Sequence, residues 1–199
     1  MTAPVSAAAP PPTPAGSEAR ERILEAAYEL FSRQGIRAVG IDAIIERSGV
    51  ARMTLYRHFG SKDALVLAFL ERREERWTRD WLQGEVERRA EDPRARLLAI
   101  FDVFDGWFQR ADFEGCSFVN VLLEIPDPGS ELHRASAEHL GRIRAWVEGV
   151  AAEARVEDPD ALARQWHILM KGSIVAAGEG DRMAARRARQ VGELLLSQR

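Results

Sequence analysis

The residues best suited to chemistry lie between Ile41 and Phe59, in the run IDAIIERSGVARMTLYRHF. Ile41, Ile44 and Ile45 mark one short helix, and Gly49 in the Ser48-Gly49-Val50 turn ends it. A second short helix starts at Ala51 and carries Arg52, Thr54, Tyr56, Arg57 and His58. The chemistry this supports is recognition rather than bond-making. A helix-turn-helix unit lays its second helix in the major groove of DNA. Arg52 offers paired donors to a guanine, and Thr54 combines a hydroxyl with a methyl. Arg37 and Arg57 are candidates for phosphate contacts. Leu55 and Phe59 are expected to anchor the unit in a core.

Catalytic constellations are not supported. His133, His139 and His167 lack metal-ligand spacing, and no phosphate-cradling glycine loop or nucleophile elbow occurs. No catalytic residue, cofactor or metal ligand is expected. Cys116 is the sole cysteine, so an intrachain disulfide and a thiolate metal cluster are both excluded. A buried structural thiol is the favoured reading of Cys116, with oxidant sensing as the alternative.

The elements that must position the recognition helix follow from periodicity. The chain has 199 residues, 46% hydrophobic and 30% charged, enough to bury a sizeable core. Residues 1–17 hold five prolines and no charge, and read as a disordered tail. Ser17 is positioned to cap a first helix carrying Ile23, Ala26, Ala27, Leu30 and Phe31, which Gly35 ends. Ser61 caps a fourth helix expected to run through Trp77 and Trp81. Pro93 opens the next, which carries Leu97, Phe101, Phe104 and Phe108. The segment Gly115 to Leu123 reads as either helix or strand, and Pro126-Asp127-Pro128-Gly129 breaks the chain. Long helices are expected over 131–155, 161–177 and 181–196. The fold class is all-α with about nine helices: an N-terminal helix-turn-helix domain over 18–63, followed by a larger helical body over 64–199.

Charge supports a local DNA patch rather than a basic coat. The formal net charge is -3, but residues 18–63 hold 8 basic and 7 acidic side chains. Residues 1–17 have neither the basic cluster nor the apolar core of a secretory signal, and no apolar run reaches membrane-spanning length. The cytoplasm is the expected compartment and no membrane partner is expected.

Residues 22–65 resemble the DNA-binding domain of the tetracycline-repressor (TetR) family of bacterial transcriptional regulators. The resemblance rests on RILEAAYELF at Arg22 to Phe31, Gly35, Ile41-Asp42-Ala43-Ile44 and Ser48-Gly49-Val50. It continues through Thr54-Leu55-Tyr56-Arg57-His58-Phe59 and Ser61-Lys62-Asp63-Ala64-Leu65. It implies that Tyr56 supports the docked helix and meets a phosphate, that His58 is the family histidine before Phe59, and that Lys62 contacts a phosphate. It further implies a homodimer on a palindromic operator, joined mainly through the last two helices, and a body that binds a small-molecule effector. The sequence departs from the family pattern at Val39-Gly40, Ala51 and Met53, so two helix starts lack a side-chain cap.

The body is rich in aromatic residues, which favours an apolar or aromatic effector over a sugar phosphate. Candidate pocket residues are Trp77, Trp81, Phe104, Trp107, Phe108, Phe118, Trp146 and Met170, each with core packing as the competing reading. Asn120, Glu124, His139 and His167 are candidate polar groups. The phrase from Gly115 to Glu124 resembles a Gly-Cys...Phe...Asn...Glu signature of some family branches. Leu162, Trp166, Leu169, Ile174, Val191, Leu194 and Leu195 are dimer-interface candidates. The expectation is a ligand-released repressor. Its alternatives are an activator or a helical interaction module without DNA binding.

Overall fold

The computed structural model describes residues 14–197. Most of the expected tail lies outside these residues, but its end does not. Helix α1 spans Pro14–Gln34, so Ser17 sits inside the first turn rather than at its cap. Proline is tolerated in a first turn, where its missing N–H has no helical acceptor.

Helix α2 (Ile41–Ser48) and helix α3 (Arg52–Phe59) complete the head. Ile23, Ala27, Phe31, Ile44, Val50 and Leu55 bury the seam between the three helices. Gly49 closes α2 at φ 64°, a left-handed conformation that glycine adopts without a Cβ penalty, and its N–H donates to the Ile45 carbonyl.

Helix α4 begins at Lys62, where Ser61 Oγ accepts from the Ala64 amide at 3.0 Å. It runs unbroken to residue 89 but changes gauge. Lys62–Arg73 and Gly84–Arg89 are α-helical, whereas Glu74–Gln83 is π-helical. That middle stretch buries Glu74, Thr78 and Leu82, and π turns inside α-helices often mark functional positions.

The body continues with α5 (Pro93–Phe108), α6 (Ser117–Glu124), α7 (Glu131–Glu153), α8 (Pro159–Gly178) and α9 (Ala184–Ser197). Asp92 and Asp158 cap α5 and α8 by accepting the Ala95 and Ala161 amides. The start of α8 therefore precedes the expected 161 by two residues. The ambiguous segment after Gly115 is helical, and no strand occurs among the described residues. Helix α7 packs on α8, α9 packs on α5 and α8, and α4 lies between head and body, touching α1, α6 and α7. Among the described residues the expectation of an all-α chain with about nine helices holds.

Candidate nucleic-acid interface and its coupling to the body

Helix α3 is anchored by two side chains and exposes most of the others. Leu55 is fully buried and Phe59 nearly so, while Arg52, Met53, Tyr56 and Arg57 face solvent and Thr54 is half-buried. Arg52 forms an exposed ion pair with Asp42 of α2. Arg20 of α1 lies over the Phe59 ring at 5.0 Å, fixing the far end of α3 from behind. Lys62 is half-buried at the first turn of α4, and Arg37 is exposed in the loop after α1. His58 departs from the expected reader: its Nε2 is shut from solvent and has no hydrogen-bond partner among the described residues. Neither Gly40 nor Ala51 caps its helix with a side chain.

Met53 departs from the family pattern and is not among the expected site residues. At 80% exposure it is an apolar group held in water beside Arg52. Its signal was positional: it sits two residues before the buried Leu55, on the opposite side of a short helix.

Two carboxylates of the body hold the head. Glu124, at the last turn of α6, accepts the backbone amides of Ile36 at 3.2 Å and Arg37 at 2.6 Å. Glu124, a candidate polar group of an effector pocket, instead turns its carboxylate to the loop between α1 and α2. Gly35 makes that approach possible. It has φ 80°, and a Cβ there would stand 2.5 Å from Glu124 Oε1. The second link is Arg73 of α4, buried and paired with Glu114 at 2.5 Å. Arg73 Nη1 also donates to Tyr28 and Ser32 of α1, at 3.2 and 3.4 Å. Its guanidinium lies over the Tyr28 and Trp77 rings.

The π stretch carries a buried polar network. Glu74 accepts from Arg79 at 2.7 Å and Arg142 at 2.6 Å, and contacts His139 Nδ1. Burial pushes the Glu74 carboxyl up, but these donors outweigh it and hold its pKa below the ordinary value. His139, expected in a pocket, stacks on Phe118 at 4.9 Å instead. Glu71, Glu74 and His139 bring ligand-type atoms within 4.8 Å of one another. Two arginines already neutralise Glu74, so the cluster is an ion-pair network with no charge left over for a cation.

The aromatic residues divide into core and cavity. Phe104, Phe108 and Phe118 are fully buried. Phe104, His167 and Met170 surround a residual void of about 10 Å³, which is a filled core rather than a ligand site. Burial lowers the His167 pKa to about 4, with Lys171 and Arg144 adding to it, so the ring is neutral near pH 7. Trp146 is half-buried against the core. Trp77, Trp81 and Trp107 line a cleft of about 410 Å³ between α1 and α4. Asn120 lines a separate cavity of about 490 Å³ between the 110–116 loop, α6 and α8. Cys116 is a buried free thiol whose pKa is raised by burial, which makes it a poor nucleophile.

The dimer candidates divide as well. Leu162 and Trp166 are fully buried within the chain, and Ile174 is buried too. Trp166 packs on Gly192, where a Cβ would come within 2.7 Å of its ring, so it fastens α9 to α8. Leu169 and Leu195 are half-buried, while Val191 and Leu194 are exposed. Ile168, missed in the sequence, is 66% exposed. It joins Leu169, Gly172, Ala176, Ala188 and Val191 in a shallow apolar groove between α8 and α9.

A helix-turn-helix head carried on a helical body is the build of a DNA-binding transcriptional regulator. Residues 23–69 match the family described as bacterial regulatory proteins, tetR family. The chain is 30% identical over 186 residues to the HTH-type transcriptional regulator TtgR of Pseudomonas putida, covering 83% of this chain and 87% of that protein. The crystal structure of SCO4454, a TetR-family transcriptional regulator from Streptomyces coelicolor, superposes with TM-score 0.83 at 31% identity, over 92% of this chain and 96% of that one. The HTH-type transcriptional activator FasR of Mycolicibacterium smegmatis is 39% identical over 87 residues, 44% of this chain and 39% of that protein. The chain belongs to the TetR family of transcriptional regulators and is not an enzyme. No helix among the described residues is long and apolar enough to cross a membrane.

Proposed function

We propose that this regulator is a cytoplasmic homodimeric repressor that binds a palindromic operator and is released by a small molecule. The observation that carries the reading is α3 itself: Leu55 and Phe59 are spent on the core, and Arg52, Met53, Tyr56 and Arg57 are free to face a groove. Arg52 reads a base after leaving Asp42, Thr54 and Met53 supply apolar contacts, and Tyr56, Arg37, Arg57 and Lys62 meet phosphates. His58 is left out because its Nε2 faces inward. Residues 18–63 form the reading unit and residues 64–199 the sensing and pairing unit.

The apolar groove between α8 and α9 favours a second copy as its cover, giving a four-helix junction between protomers. Two heads then meet half-sites about one helical turn apart, ~34–36 Å. Ligand acts by binding the DNA-incompetent arrangement more tightly than the competent one. Glu124 and the Arg73–Glu114 pair offer the route, since both tie head elements to the segment around α6. The FasR likeness, confined to under half of the chain, keeps activation as the second reading.

The test is selection of sites from random duplex DNA at controlled salt, using the purified full chain. An enriched palindrome supports the reading, and Arg52→Ala should relax preference at one base position per half-site. Absence of any enrichment from folded, dimeric protein would favour a helical interaction module instead.

A further inference from the structure

A cavity of about 490 Å³ lies beside α6. Its walls are mixed. Phe113, Val119, Ile174 and Val175 give it apolar surface, while Arg110, Arg182 and Lys171 give it positive charge. Its one carboxylate, Glu114, is already engaged by Arg73. Arg110 is paired with Asp112 at 2.6 Å, and Arg182 donates to the Phe108 carbonyl. Lys171 differs: among the described residues its side chain forms no ion pair and no hydrogen bond. Its charge is felt by the Cys116 thiol in the cavity wall and by the His167 ring in the core beyond it. The Asn120 backbone N–H donates to the Cys116 carbonyl, and its side-chain amide has no hydrogen-bond partner among the described residues.

We infer that this cavity binds an apolar small molecule bearing a carboxylate. The anion pairs with the Lys171 ammonium and accepts from the Asn120 amide, and the apolar body lies against Phe113, Val119 and Ile174. A buried anion without such donors would bear its full desolvation cost, and a cationic ligand would meet an uncompensated lysine. The volume suits a drug-sized molecule.

The location gives the ligand leverage. The cavity wall runs from Glu114 through Cys116 and Val119 to Asn120, along the start of α6. Glu114 lies at one end of that wall and holds Arg73, which holds α1. Glu124 ends the same short helix and holds the Ile36 and Arg37 amides. A ligand wedged between α6 and α8 therefore presses on a segment with a head contact at each end. This part rests on the ligand-release reading above; the charge preference does not.

The test uses isothermal titration of the full chain with matched pairs: octanoate against 1-octanol, and 2-naphthoate against 2-naphthalenemethanol. In at least one pair the carboxylate should bind about tenfold or more tighter than the alcohol, as expected for a charge-assisted contact. Lys171→Met should erase that preference and leave alcohol binding in place. Val175→Trp, at a residue 54% exposed on the rim, should block both members without disturbing the core. Equal affinity for acid and alcohol in both pairs, a preference that survives Lys171→Met, or binding untouched by Val175→Trp overturns the inference. Operator affinity is measured separately by fluorescence anisotropy. Carboxylate binding that leaves operator affinity unchanged supports the site and overturns release; release by the neutral probes alone does the reverse.

Discussion

At the scale of single residues, Glu124 separates two roles that a mutation can tell apart. Its carboxylate accepts two backbone amides of the head, and the Ile36 amide is partly buried. Glu124→Ala should therefore cost about 2 kcal/mol of stability, read by chemical denaturation, because a part-buried donor loses its acceptor. If Glu124 also transmits the ligand signal, the same change should leave unliganded operator affinity within a few-fold and shrink the ligand-induced weakening about tenfold. Glu124→Gln keeps one acceptor oxygen and should fall between. Stability loss with undiminished ligand response would leave Glu124 as a brace alone. The residue also shows where sequence reading stops. Glu124 belonged to a recognisable phrase, so its importance was visible, but its partners lie 88 and 87 positions away. Nothing in spacing or polarity reports a contact across that distance. Arg73 was missed for the same reason: it reads as one basic residue among several on a helix, and only packing shows that it is buried against Glu114, Tyr28 and Ser32. The groups on α3 were legible because their signal is local.

At the scale of helices, local rules predicted well wherever an end is marked by its own residues. Gly35 and Gly49, by their left-handed backbone, and Ser61, by its hydroxyl, each act at the positions where their residue types suggest. The failures are ends set by less obvious residues: α1 starts at Pro14 instead of Ser17, and α8 starts at Pro159, under an Asp158 cap, instead of at 161. The π-helical turn was not legible: Glu74 within it is buried against Arg142 and His139 of α7, partners 68 and 65 positions away. The uncapped starts of α2 and α3 make a differential prediction. Ala51 has extended backbone, φ -63° and ψ 145°, suited to a capping side chain that it lacks. Ala51→Ser should stabilise by about 1 kcal/mol, while Gly40→Ser should add only a few tenths, since glycine is itself a fair cap. For a chain of this size the first corresponds to roughly 2–4 °C in Tm. A calorimetric scan that ranks the two variants the other way would show that the α3 start is held by something other than its cap.

At the scale of the whole molecule, two properties depend on the body. One is the acid limb of stability. His167 has a folded pKa of about 4 against an ordinary 6.5, so below the ordinary value the unfolded chain takes up a proton that the folded chain refuses. Stability from this group is complete above about pH 6.5 and is lost as pH falls towards 4. His167→Gln should flatten that slope by on the order of 3 kcal/mol across the window, measured as urea unfolding at several pH values. An unchanged slope would mean that carboxylates alone set it. The other property is pairing. The last two helices were expected to carry the dimer, but their apolar residues serve two masters, and sequence cannot sort them because both faces of α8 are apolar at helical spacing. Trp166 and Leu162 point into the chain, whereas Ile168 and Val191 point out over Gly172 and Ala176. Changes at the two sets should therefore fail in different ways. Trp166→Ala should open a cavity beneath Gly192 and cost about 3–5 kcal/mol within the protomer. Ile168→Glu should leave the protomer folded, because its side chain is 66% exposed, and place a charge in the groove proposed as the junction. Light scattering should then report a monomer with unchanged helical content. Operator affinity should drop about a hundredfold or more, because the second head no longer benefits from the first. A dimer that survives Ile168→Glu would move the junction off this groove and onto the exposed end of α9 around Leu194, which Leu194→Glu would then disrupt.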